Sequence, residues 1–349
     1  FKIALPMAFP ALITGISLMC MEVMNELGTV ELLNIPSISK GITENWIIEG
    51  NPKSAIGLSL VALIIVFTLI LFEKLSRRKT KIWSENPASL DSLGFNLKGK
   101  RSYLAILFTL LPPLFSIGIP FSWLLLNIDQ LKKGFTTELL SLTFRTICLG
   151  IIAAIVTLIF SLILTLANRQ KKDLILRFIT FPAGIGYAIP GTVIAIGVII
   201  PFAWIDKIIN SFMQANFAIS SGLILSGSIA AVLYAYVVRF LAVSLQTLES
   251  GLGKIKPSID IAARSLGCRP RDTAFKIHLP LMRGSTLTAV MIVFVDAMKE
   301  LPATLILRPF DFNTLAVRAF ELASDERLAD SSTAALTIVL VGLIPVIFL

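Results

Sequence analysis

Residues 142–167 read LTFRTICLGIIAAIVTLIFSLILTLA, with a single charge, Arg145. A helix rises about 1.5 Å per residue, so this run reaches further than the roughly 30 Å of a bilayer's hydrocarbon core. Backbone amides and carbonyls find no water there, so the run is expected to be helical. Seven further apolar runs lie on either side of it, at 10–27, 54–72, 103–126, 179–204, 221–244, 284–303 and 332–349. The expected fold class is an all-α polytopic membrane protein with about eight transmembrane helices. Composition agrees: 55% of residues are hydrophobic, 15% are charged and the mean hydropathy is +0.84. Soluble domains carry about 25% charged residues. The third run holds Pro112, Pro113 and Pro120, and the fifth holds Pro182, Pro190 and Pro201 with Gly184, Gly186, Gly191 and Gly197. Such positions kink helices or let them pack closely.

The net charge of +9 is not read as a nucleic-acid surface, because most Lys and Arg flank the apolar runs. Those flanks are unequal. Lys2 and the loops 73–102, 168–178 and 245–283 hold 20 of the 31 basic residues, and the loops facing the other way hold 8. Cytoplasmic loops carry the excess of Lys and Arg, so the loop 245–283 is expected in the cytoplasm. Arg145 and Arg239 fall inside runs near an outer and an inner end, where long side chains snorkel to the interface.

Several chemistries lack residues. Cys20, Cys148 and Cys268 are far apart, and His278 is the single histidine, so no Cys/His metal site is expected. No GxxxxGK[ST] phosphate loop is present, so any ATP hydrolysis falls to a partner. Ser-His-Asp catalysis has no support, and the chain is expected not to be an enzyme.

FKIALPMAFPALITG at 1–15 recurs as FKIHLPLMRGSTLTA at 275–289, 274 residues later. Glu22, Met24, Glu26 and Leu27 likewise face Asp296, Met298, Glu300 and Leu301. Both copies start on the same side, so the repeat is parallel. The expected organisation is the end of a first repeat (1–72), a basic cytoplasmic linker (73–102) and a second repeat (103–349) truncated at its last helix. Transporters built from related halves show such repeats, and the intact parent is expected to exceed about 550 residues.

The loop 245–283 reads LQTLESGLGKIKPSIDIAARSLGCRPRDTAFKIHLPLMR. Pro257 suits a first helical position, and Asp260 suits the first turn. Gly267 suits the left-handed cap that ends the helix, and Pro270 starts a second short helix. Two short helices around a Gly elbow make a rigid cytoplasmic knob, a docking surface.

Asp260-Ile261-Ala262-Ala263, Gly267 and Ile277-x-Leu279-Pro280 resemble the EAA motif of ABC importer permeases. The resemblance implies the type-I importer permease fold and assigns Asp260, Ala262, Ala263, Gly267, Ile277, Leu279 and Pro280 to coupling with an ATPase subunit. One position departs: Ile261 stands where the family has Glu, with Asp260 one residue earlier. The stretch DAMKELPATLILRPF at 296–310 is similar to bacterial ferric-iron permeases with two fused domains. The implied partners are a dimer of ABC ATPase subunits, which would bind ATP and Mg, and a periplasmic substrate-binding protein, all at the inner (plasma) membrane of a bacterium. Thiamine, polyamine, sulfate and molybdate permeases share the loop. A secondary transporter or channel without an ATPase is the alternative of another class.

Asp296, Lys299 and Glu300 lie deep in the seventh run, and Glu22 and Glu26 match them in the first copy. A charge at a helix centre costs about 2.5–3.5 kcal/mol on insertion, so such residues face the bundle interior and mark substrate paths. Glu22, Glu26, Asp296, Lys299 and Glu300 are therefore the expected pathway residues, with Glu26 and Glu300 lining it from two sides. Carboxylate oxygens suit a hard cation such as Fe(III), held in passage rather than as a stable metal site. Ion pairs that lock helix to helix are the equal alternative.

Overall fold

The computed structural model describes residues 4–78, 97–126, 134, 136–170 and 173–347. Most of the basic linker 73–102, and the opening residues of the first repeat copy, lie outside these. The described residues form helices and connecting loops, with no strand among them. In chain order the helices are α1 (Ala4–Asn25), α2 (Gly28–Leu32), α3 (Ile38–Thr43), α4 (Pro52–Arg78), α5 (Lys100–Pro113), α6 (Ile119–Leu126), α7 (Thr137–Gln170), α8 (Leu174–Ala183), α9 (Gly191–Phe217) and α10 (Ile229–Gly253). They continue as α11 (Pro257–Ser265), α12 (Pro270–Thr273), α13 (Leu279–Leu281), α14 (Arg283–Met298), α15 (Pro302–Leu307), α16 (Leu315–Ser324) and α17 (Leu328–Ile347).

Six helices or helix runs among the described residues are long and apolar enough to cross a membrane: α4, α5 with α6, α7, α9, α10 and α17. A seventh would be the pair Pro270–Leu281 and Arg283–Met298, bent by 74°. The expected eight runs are thus approximate, and three of them shift. The run at 179–204 is not one helix. Pro182 and Gly184 close α8, a 3-10 turn spans Gly186–Ala188, and α9 starts only after Pro190, whose ψ of 139° is extended. Helix α9 then continues to Phe217. The run at 221–244 begins too early, because residues 218–228 form a loop and α10 occupies 229–253. The run at 284–303 breaks at Lys299.

The reason for the second shift is a buried carboxylate. Asp206 on α9 accepts hydrogen bonds from the amides of Ile224, Leu225 and Ser226 at 2.8–3.2 Å, and from the Ser226 hydroxyl at 2.6 Å. These amides find partners without a helix, so an apolar stretch (ISSGLILSGS, 219–228) stays a loop.

The main core joins α7, α9, α10, α14 and α15. It is built from Ala153, Ala154, Ala195, Ala231, Ala235, Ala297 and Ala303, with Leu149, Val232, Phe240, Val293 and Leu307 between them. Small residues bring backbones close, which is how helices associate where no hydrophobic gain separates protein from lipid. Gly186 shows how close: a Cβ there would overlap the carbonyl oxygen of Val238 on α10. A second cluster, Ile42, Ala55 and Ala62 with Val193 and Ile196, joins α3 and α4 to α9. The amino-terminal helices therefore pack on the bundle that carries the rest of the chain.

Candidate functional site

The broken ends of two helices create the central site. Helix α1 stops at Asn25 and α14 at Met298, so both put their last turns and the residues after them into the bundle. Glu22, Asn25, Glu26, Tyr187, Arg239, Asp296, Lys299 and Glu300 line one cavity of about 240 Å³. All five residues expected along a pathway are among them.

The geometry ranks these side chains differently from the sequence. Arg239 and Glu300 are 3% and 4% exposed. Arg239 Nε lies 3.3 Å from Glu300 Oε2, and Nη1 donates to Glu300 Oε1 at 3.4 Å and to Asn25 Oδ1 at 2.8 Å. The amide of Ala303 also donates to Glu300 Oε1 at 3.2 Å, at the start of α15. The amide of Gly191 donates to Asn25 Oδ1 at 2.9 Å, so α1, α9, α10 and α15 meet at one polar knot. A Cβ on Gly191 would overlap Arg239 Nη1 and stand 2.6 Å from Glu300 Oε1.

Arg239 is thus a correction. It does not snorkel: it sits mid-helix on α10 and is the counter-charge of Glu300. Arg145 is exposed and donates to the carbonyl of Asp311 at 3.1 Å. Glu26 is exposed and accepts from the amide of Thr29 at 2.8 Å, capping α2. Lys299 Nζ stands 3.0 Å from Asp296 Oδ1, with the carboxylate side buried and the ammonium half-exposed. Among the described residues no three His, Cys, Asp or Glu side chains gather to hold a metal ion.

The second candidate region is the segment after α10. Lys256 is extended, Pro257 opens α11, Gly267 adopts φ +81°, and Pro270 opens α12. The elbow expected between two short helices is present. Its outward face is apolar, with Ile261 64% and Leu266 85% exposed and Phe275 and Leu281 exposed as well. Ala262 is exposed and Ala263 is buried. Ile277 and Leu279 are half-buried, and Pro280 is exposed.

Asp260 turns the other way. It is 8% exposed and accepts from Arg169 Nε at 2.7 Å and from His278 Nε2 at 2.6 Å. Arg169 also donates to the carbonyl of Ile255 at 2.9 Å, and Gln170 to that of Pro270 at 3.2 Å. Burial pushes the Asp260 carboxyl up, but the hydrogen bonds from His278 and Arg169 and their charges outweigh it and hold the carboxyl below its ordinary range. Sequence reasoning left Arg169 among the loop charges, since nothing in its spacing to Asp260, 91 residues away, marks the pair.

Comparison with known proteins bears on both regions. The chain is 26% identical over 360 aligned positions to the Fe(3+)-transport system permease protein FbpB 2 of Haemophilus influenzae, covering 99% of this chain and 66% of that protein. The chain is thus similar to transport-system permease proteins. It spans about two thirds of the length of that relative. PhnV of Salmonella typhimurium, a permease protein named for 2-aminoethylphosphonate transport, is 27% identical over 198 residues, or 57% of this chain and 68% of that protein. FbpB 1 of Haemophilus influenzae, named for ferric transport, is 24% identical over 187 residues, or 54% of this chain and 28% of that protein. No protein-family model matches. Among the described residues six helices, or seven with the bent pair, are long and apolar enough to cross a membrane, which makes the chain a multi-pass membrane protein.

Proposed function

We propose that this chain is part of the transmembrane permease of an ATP-driven importer, carrying ferric iron from a periplasmic binding protein to the cytoplasm. The observation that carries the reading is the likeness to an Fe(3+)-transport permease along 99% of the chain. The central cavity supports the cargo. Four carboxylates (Glu22, Glu26, Asp296 and Glu300) face two cations (Arg239 and Lys299) on its wall, an excess that attracts a hard cation and repels a phosphonate. Iron is a passing substrate in this reading. Glu22 and Glu26, exposed in the cavity, would meet it first, while Glu300 stays neutralised by Arg239 until the helices move.

The repeat supports a two-sided passage. Glu22 and Asp296, Asn25 and Lys299, and Glu26 and Glu300 are matched pairs 274 residues apart, and all six line the same cavity. The exposed Ile261, Leu266 and Phe275 give the knob an apolar face that a groove on an ATPase subunit would cover. The chain has no phosphate loop, so a dimer of such subunits would supply ATP hydrolysis and its Mg.

The test is uptake in cells that lack the full-length gene, with and without its restoration, using labelled ferric iron, 2-aminoethylphosphonate, thiamine, putrescine and sulfate. Gene-dependent loss of iron uptake alone is the expected result. Normal iron uptake with loss of another substrate would overturn the cargo and keep the permease.

A further inference from the structure

The segment 254–282 carries one buried acid, and it points away from any docking partner. Helix α11 has two faces: Ile261 and Ala262 look outward, while Asp260 and Ala263 look toward the bundle. Asp260 is the only described carboxylate that ties this segment to the membrane-spanning body. Its Oδ2 takes Arg169 Nε, from the last turn of the 34-residue α7, and its Oδ1 takes His278 Nε2 from the stretch that leads into α14. A carboxylate only accepts, so His278 Nε2 carries the proton in this pair. Nδ1 is buried without a partner among the described residues, and Arg169 stands beside Asp260 as its guanidinium counter-charge. Arg169 then closes the loop on itself through the carbonyl of Ile255. One side chain thus bonds to the end of α7, the start of the α14 hairpin and, through Arg169, the end of α10.

We propose that Asp260 is a positioning residue that fastens the coupling segment to α7 and the α13–α14 entry, and that it makes no contact with the ATPase subunit. This rests on the permease reading above. Contact with the partner falls to the apolar face around Ile261, which stands where the importer family has Glu. A push on that face is then transmitted through Asp260 to three membrane helices as one rigid unit. A buried charge-assisted pair is strong and directional, and breaking one partner leaves the other uncompensated.

The experiment uses the full-length protein with its ATPase subunit, in the native membrane. Variants are Asp260→Asn, Arg169→Met, the swap Arg169→Asp with Asp260→Arg, and Phe275→Glu. Three quantities are read: ATPase subunit retained in the membrane, uptake of labelled ferric iron, and the rate of tryptic cleavage at the exposed Arg264 and Arg271 in inside-out vesicles. Asp260→Asn and Arg169→Met are expected to keep the ATPase subunit at the wild-type level, to lose about tenfold in uptake and to be cleaved about tenfold faster. The swap recovers a large part of both losses, which a mere loss of fold would not. Phe275→Glu, on the same exposed apolar face, is expected to release the ATPase subunit with the cleavage rate unchanged. Release of the subunit by Asp260→Asn but not by Arg169→Met would overturn the proposal, because Asp260 would then be a docking contact. Unchanged cleavage and uptake in both single variants would overturn it as well. A wild-type protein that retains no ATPase subunit fails the permease reading instead, and the cleavage rates still decide whether Asp260 fastens the segment.

Discussion

Arg239 and Glu300 lie side by side in the protein interior, each with its charge met by the other and by Asn25 or a backbone amide. Removing one partner strands the other. Arg239→Met is expected to cost about 3–5 kcal/mol of stability, and the double replacement Arg239→Met with Glu300→Gln should cost less than Arg239→Met alone; thermal unfolding in detergent measures both. Gly191→Ala should fail in the same assay, since its Cβ would overlap Arg239 Nη1. Asp260 adds a pH dependence. Its folded value lies below the ordinary carboxylate value of 3.8, so its contribution is present above that value and lost as pH falls through the folded one. The gap in unfolding temperature between wild type and Asp260→Asn should hold steady from pH 7 to about 4 and close below that. The acids of the central cavity were legible in the sequence, because a charge deep in an apolar run has few other uses. Arg239 was not: the run holding it was placed at 221–244, which set Arg239 near an end. With α10 at 229–253, the same residue falls at mid-helix.

At the scale of elements, that displaced boundary traces to Asp206. Hydropathy sees the apolar residues of 219–228, but it cannot see a carboxylate 18–20 residues upstream that satisfies their amides. The helix breaks at Pro190 and Lys299 are similarly tertiary. Pro190 and the glycines around it permit a break, and the contact of Gly186 with Val238 makes use of it. The segment from Lys256 to Pro280 is the opposite case. Pro257, Gly267 and Pro270 are strong local signals, and the two short helices stand where they place them. Gly267 holds φ +81°, a conformation that costs a residue with a Cβ about 1–2 kcal/mol. Gly267→Ala should therefore loosen the elbow and speed tryptic cleavage at the exposed Arg271 roughly five- to thirtyfold, with the melting of the membrane helices unchanged.

Across the whole molecule, an amino-terminal group of helices (α1 to α4) packs on the larger bundle, and the contact between them carries the acidic cavity. The all-helical membrane architecture was legible from run lengths alone, since hydrocarbon leaves the backbone few other options. The meeting of Glu22 and Glu26 with Asp296 and Glu300 was legible only through the repeat. What the sequence could not supply is which of these acids is already paired. The central claim is that ATP hydrolysis by a partner, rather than an ion gradient, moves cargo through this bundle. The most direct measurement is uptake of labelled ferric iron by cells carrying the full-length protein, after ATP is depleted with the proton gradient intact, and after the gradient is collapsed with ATP maintained. The account predicts that uptake stops in the first condition and persists in the second. Uptake that survives ATP depletion and stops with the gradient would contradict it and make the protein a secondary transporter.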